Sequence, residues 1–167
     1  PSSAASDVYK RQAQSHVKVS FEIPEYTANV DGTGVMRLLE IIRSLPHQIQ
    51  QKIKFYQAGT SEMYGKVLAV PQDENTPFNP TSPYAISKLS SHQLIKNFRE
   101  SYGKFFCSGI LFNHESERRG PEFVTRKIAI GVADIHHGRR KTLSLGNMDV
   151  RRDWGFAGDY TKAMTAM

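Results

Sequence analysis

Two buried-strand signals frame the chain. Ile53 to Ala58 is short and largely apolar, and FFCSGILF, from Phe105 to Phe112, is a second run of the same kind. Continuous apolar runs, rather than alternating ones, mark strands of a parallel sheet covered on both faces. Between them lies a segment of helical period that opens at Ser82-Pro83, passes through Tyr84, Lys88, Leu94 and Phe98, and stops near Gly103. Serine is a good N-cap, proline suits the first helical turn, and glycine suits a helix end. Ahead of the first strand, Asn29 to Ser44 is expected to be a helix. Val35, Leu38, Leu39 and Ile42 recur there at spacings of three and four, a stripe that faces a sheet, with Asp31 as N-cap and Pro46 as the stop. The order helix, strand, helix, strand gives α/β layering around a parallel sheet.

The rest of the chain is less regular. His16 to Phe21 alternates as a strand does. Between Val70 and Pro83 stand four prolines, all outside periodic segments, which makes that stretch a connecting loop. Beyond Asn113, Pro121 to His137 reads as a helix with Phe123, Ile128, Val132 and Ile135 on its apolar face. Thr142 to Leu145 reads as a brief strand, and Gly158 to Met167 as the beginning of a helix. Residues 1–12, PSSAASDVYKRQ, have no period and are read as a non-native leader.

Composition narrows the classes. A chain of 167 residues can bury one respectable core, so it is one domain or a piece of a larger protein. No apolar run approaches the roughly 20 residues of a membrane span, and no secretory apolar region opens the chain. Cys107 is the single cysteine, which excludes an internal disulfide, fits a reducing compartment and makes cytoplasm the expected location. Inside FFCSGILF it reads as a core residue. The net charge of +6 lies entirely in the second half of the chain, with Arg118, Arg119, Arg126, Lys127, HHGRRK and DVRRDW. Such a surface suits a polyanion, either a nucleotide diphosphate or nucleic acid; the bland reading is a solvated basic face. His114, His136 and His137 lack the Cys/His/carboxylate spacing of a metal site, so none is expected.

The chemistry concentrates between Lys54 and Lys88. The first strand breaks at Gly59 and presents Thr60, Ser61 and Glu62 in a row; the next helix carries Tyr84 and Lys88 four residues apart. That spacing puts phenol and ammonium on one helical face, a turn apart. A hydroxyl ahead of a helix carrying Tyr-x-x-x-Lys is the working set of the short-chain dehydrogenase/reductases. Joined to AQSHVKVSFE, EYTANVDGTGVMRLLE, FYQAGTSEMYGKV, TSPYAISK, GILFNHESERRG, FVTRKI, SLGNMDVRRDWG and GDY, it resembles the GDP-mannose 4,6-dehydratase family, an extended branch of that superfamily. The resemblance covers nearly everything from Ala13 to Met167.

That resemblance implies a partial Rossmann-type, doubly wound parallel sheet with the start of a smaller substrate-binding domain. Residues 13–118 would form the C-terminal part of the NADP-binding domain and 119–167 the beginning of the nucleotide-sugar region. It replaces the strand at 16–21 by a loop and short helix. Tyr84 would be the base, its pKa of about 10 brought down by Lys88. Thr60 would hydrogen-bond the reacting oxygen, and Lys88 would also hold ribose hydroxyls. Glu62 would take the C5 proton and pass one to the leaving C6 hydroxyl. The implied reaction oxidises C4 of GDP-mannose, eliminates water across C5 and C6, and returns hydride to C6. His114 and Arg119 resemble NADP contacts; Asn113, Val124, Lys127, Gly146 and Arg152 resemble positions that hold GDP-mannose. Dimers or tetramers are implied, and neither nucleic acid nor membrane is an expected partner.

Two residues depart from the family pattern: Gly59 stands where a serine is expected and Glu117 where a proline is expected. A strand–Gly-x-x-Gly-x-x-Gly–helix unit for the pyrophosphate is not found, since Gly32 and Gly34 come without a strand or a third glycine. The chain therefore reads as the middle of a longer enzyme, inactive alone. The alternatives are another nucleotide-sugar enzyme of the superfamily, such as an epimerase, and a basic nucleic-acid-binding module.

Overall fold

The computed structural model describes residues 13–167, so the leader reading of 1–12 lies outside the described residues. Two compact units meet in sequence between Leu111 and Phe112, ahead of the 118/119 boundary read from the sequence. Asn113 to Glu115 belong with the second unit because they pair there with a later strand.

In the first unit, α1 (Val17–Glu22) and α2 (Pro24–Ala28) lead through a π-helical turn, Asn29–Thr33, into α3 (Gly34–Ser44). The strand-like alternation at 16–21 does not make a strand; the short helix implied by the resemblance forms instead. Ser20 shows why: its N–H donates to the His16 carbonyl at 3.2 Å and its hydroxyl to the Val17 carbonyl at 2.6 Å, both local helical bonds. Asp31 is not an N-cap. The backbone is already helical from Ala28 to Gly34, so Asp31 lies inside a continuous helical stretch and is buried. The α3 stripe is narrower than expected: Val35 and Leu39 are buried and Ile42 packs against the core, but Leu38 is exposed. Leu45, ahead of Pro46, turns extended and ends the helix, as a residue before proline tends to do.

A short α4 (His47–Gln50) precedes β1 (Phe55–Ala58), and the long α5 (Pro83–Tyr102) crosses over to β2 (Phe106–Gly109). The two strands run parallel in the register Phe55 to Phe106 and Ala58 to Gly109. Both ends of α5 obey the sequence signals. The Ser82 hydroxyl accepts the Ala85 N–H at 3.1 Å, Pro83 opens the first turn, and Gly103 closes the helix at φ 59°. Val35, Leu39, Phe55, Ile95, Phe98 and Phe106 form one core between α3, α5 and the strands. Leu39 and Ile95, at most 1% exposed, each stabilise it by roughly 1.5–3 kcal/mol through burial. Cys107 is half-buried, with its thiol towards the Phe55 carbonyl at 3.7 Å.

The second unit contains β3 (Asn113–Glu115), α6 (Val124–His136), β4 (Trp154–Phe156) and α7 (Ala157–Ala166). β3 and β4 pair in parallel, Asn113 opposite Trp154 and Glu115 opposite Phe156. FFCSGILF is thus regular strand only over Phe106–Gly109. No strand forms at 142–145; Leu143 instead packs its side chain against Gly131 of α6, where an added Cβ would come within 2.7 Å of it. The strand at 154–156 gives no sequence signal, because three residues carry no period. The apolar face of α6 is partly open in this chain: Val132 is 58% exposed and Ile135 is exposed as well, whereas Phe123 and Ile128 are half-buried.

Candidate active site

The catalytic candidates collect at the C-terminal end of β1. Past Ala58 the backbone keeps its parallel partner: the Gly59 N–H donates to the Gly109 carbonyl at 2.8 Å and the Ser61 N–H to the Leu111 carbonyl at 2.8 Å. Gly59 fits this spacing, since a Cβ there would stand 2.4 Å from the Gly109 oxygen. Thr60 is extended and buried, and its hydroxyl accepts the Glu62 N–H at 3.2 Å, capping a 3-10 turn over Ser61–Met63. Glu62 lies in that turn, half-buried. In open α/β sheets this edge, beyond the carboxyl ends of the strands, is where ligands bind.

The chain beyond Glu62 is tied down. Gly65, at φ +53°, allows the backbone to turn under Asn79, whose carbonyl a Cβ would strike. Asn79 donates its N–H to the Met63 carbonyl at 3.1 Å and accepts the Lys66 N–H at 3.2 Å. Tyr64 stacks on Phe78 and Phe78 meets His92 edge-on. The His92 ring in turn shares a 3.0 Å hydrogen bond with the Ser108 hydroxyl. Burial, with Arg99 and Lys96 nearby, pushes the His92 pKa down and favours the neutral ring. The Pro-rich loop is thereby fastened to α5 and β2, which fixes the turn carrying Glu62.

Tyr84 and Lys88 are buried at 8% and 6% exposure on the α5 face turned towards β1. The Lys88 Nζ donates to the Ala58 carbonyl at 3.2 Å, the last residue of β1, and lies 5.7 Å from the centre of the Tyr84 ring. Burial holds the ammonium below the usual lysine range, and the Asp31 carboxylate partly offsets that. An ammonium has three donors. With one on Ala58, two remain to meet vicinal hydroxyls such as those of a ribose. That is the fit expected of a nicotinamide nucleotide site.

The remaining candidates belong to the second unit. Asn113 donates both its N–H and its side-chain amide to the Asp153 carbonyl, each at 3.2 Å. His114 shares a 2.9 Å hydrogen bond with the Phe112 carbonyl and stacks on Tyr160. Arg119 forms a 3.3 Å ion pair with Glu115 and lies over the Phe123 ring at 3.5 Å. Val124 opens α6 and is exposed, as are Lys127 further along it, Gly146 and Arg152. Glu117 is also exposed, beside the exposed Arg118. Among the described residues no three His, Cys, Asp or Glu side chains are grouped to hold a metal ion, and no helix is long and apolar enough to cross a membrane. Asp31 is the charged residue at this site that sequence reasoning misplaced. Its approach to Lys88 comes from packing of the π turn on α5, which no spacing in the chain announces.

A family model described as GDP-mannose 4,6 dehydratase matches residues 2–167. The chain belongs to the GDP-mannose 4,6-dehydratase family. The family member from Dictyostelium discoideum, GDP-mannose 4,6 dehydratase, is 55% identical over 162 residues, 97% of this chain and 45% of that protein. GDP-mannose 4,6-dehydratase of Vibrio cholerae is 56% identical over 161 residues, 96% of this chain and 43% of that one. The chain thus spans less than half the length of these curated relatives. Among solved structures, RMD from Pseudomonas aeruginosa complexed with NADPH superposes with a TM-score of 0.81 at 26% identity, over 91% of this chain and 52% of that one. UDP-glucose 4-epimerase of Thermus thermophilus in complex with NAD gives 0.74 at 28% identity, over 93% and 50%. The fold is part of the Rossmann-like, NAD(P)-binding α/β fold of the extended dehydratases and epimerases.

Proposed function

We propose that this chain supplies the catalytic middle of an NADP-dependent GDP-mannose 4,6-dehydratase. On this reading residues 13–118 complete the NADP-binding domain, and 119–167 open the nucleotide-sugar region. The observation that carries the reading is the buried Tyr84–Lys88 pair set against the end of β1, two residues ahead of Thr60 and four ahead of Glu62. The family match supports the choice of substrate.

Bound NADP supplies the hydride acceptor and donor. The chain's own residues do the rest. Lys88 offers its two remaining donors to the ribose and its charge to the Tyr84 phenolate. Tyr84 takes the proton of the C4 hydroxyl, and Thr60 hydrogen-bonds the same oxygen. Glu62 removes the C5 proton, which the neighbouring C4 carbonyl acidifies, and delivers a proton to the C6 hydroxyl as water leaves. In the second unit, Lys127 and Arg152 suit the diphosphate, one as a point charge and the other as a bidentate fork. Asn113, Val124 and Gly146 would shape the sugar-nucleotide site, and His114 and Arg119 would contact NADP.

Kinetics of the full-length protein test these roles. Tyr84→Phe and Glu62→Gln should each lower kcat by roughly 100-fold or more, the scale of general acid–base catalysis. Near-normal turnover in either variant overturns the assignment of that residue. An epimerase of similar fold would need no carboxylate at Glu62, so the Gln variant also separates the two chemistries.

A further inference from the structure

Asp31 is a buried carboxylate that the reaction above does not use. It is 1% exposed, and among the described residues neither of its carboxylate oxygens makes a hydrogen bond of ordinary geometry. Leaving a charge in that condition is costly unless something opposite compensates it. Its surroundings are built, not incidental. The π turn at 29–33 interrupts a continuous helical stretch, and π turns recur at functional sites. The Asp31 carbonyl accepts the hydroxyl of fully buried Ser91 at 2.5 Å, which fixes the turn to α5 less than one turn beyond Lys88. Among the described residues, Lys88 is the one charged group acting on Asp31. Gln14 approaches through its backbone alone. Asp31 is likewise the one charged group acting on Lys88, whose other titratable neighbour is Tyr84.

We propose that Asp31 is a positioning residue, the buried counter-charge that keeps the Lys88 ammonium protonated beside Tyr84. It acts through Lys88, without a direct ion pair, leaving the ammonium hydrogen atoms for Ala58 and a ribose. Burial alone drives Lys88 towards its neutral form, and a neutral amine would favour neither the Tyr84 phenolate nor ribose binding. The Asp31 carboxyl is pushed up to about 6 by burial, with Lys88 lowering it, so it carries its charge above that pH.

The inference rests on the catalytic reading of Tyr84 and Lys88, and its test separates the two. In the full-length protein, Asp31→Asn keeps the side-chain shape and removes the charge. The acid limb of its kcat/KM profile should move to higher pH by about one unit, with turnover at pH 7 down about tenfold. KM for the sugar nucleotide should stay near that of the parent. NADPH affinity, read by fluorescence titration, should fall off at lower pH than in the parent. Asp31→Glu keeps the charge, so its acid limb should stay in place even where crowding lowers its Tm. A profile unmoved in Asp31→Asn, or moved equally in Asp31→Glu, overturns the proposal. If Tyr84→Phe remains active in parallel assays, it is the catalytic reading that fails.

Discussion

Asp31 shows how one side chain can look ordinary in sequence and be unusual in the fold. As an N-cap it would sit at the surface, but helix continuity from α2 to α3 turns it inwards. Its thermodynamic mark comes from the shift. The carboxyl titrates near 3.8 in an unstructured chain and at about 6 here. Between those values the folded state keeps a proton that the unfolded state has lost, so this group's contribution to stability falls as pH rises through that window and stays lower above it. Asp31→Asn removes the contribution. Its Tm relative to the parent should therefore climb between about pH 4 and pH 6 and then level off; a difference that stays constant with pH would contradict the buried, charged state. Thr60, Glu62, Tyr84 and Lys88 stood out in the sequence through the family resemblance, and the fold places Tyr84 and Lys88 buried on α5 with Thr60 buried and Glu62 half-buried just past β1. Asp31 did not stand out, because its role depends on a neighbour 57 positions away in the sequence.

At the scale of elements, end signals were the most readable part of the chain. Ser82-Pro83 and Gly103 bound α5 where local backbone chemistry puts them, since each acts within its own turn. Ser82→Ala should cost about 1 kcal/mol in urea unfolding, and Ser82→Gly only a few tenths. Equal losses in the two variants would mean that the Ser82 hydroxyl is not what caps the helix. Short strands were legible only where apolar content was dense. Phe55–Ala58 and Phe106–Gly109 gave such runs, whereas Trp154–Phe156 is three residues long and is defined by its partner Asn113–Glu115. The six-residue alternation at 16–21 makes no strand, in line with the short helix that the resemblance implies: a helix of that length is set by local bonds and by packing on α5, and a short period cannot overrule them.

For the whole molecule, the α/β class and the parallel pairing came from the order of periods, because a strand, a helix and a strand of these lengths leave few other arrangements. The uncovered face of α6 did not. Its apolar stripe is evident in sequence, yet Val132 and Ile135 are exposed in a chain spanning less than half the length of its relatives. The central claim, dehydration of GDP-mannose, is best tested by product analysis. Full-length protein carrying this segment, supplied with GDP-mannose and NADP, should yield a sugar nucleotide lighter by one water, with no net reduction of the cofactor. A product of unchanged mass would mean epimerisation, and accumulated NADPH with an oxidised sugar would mean simple dehydrogenation; either would contradict the account.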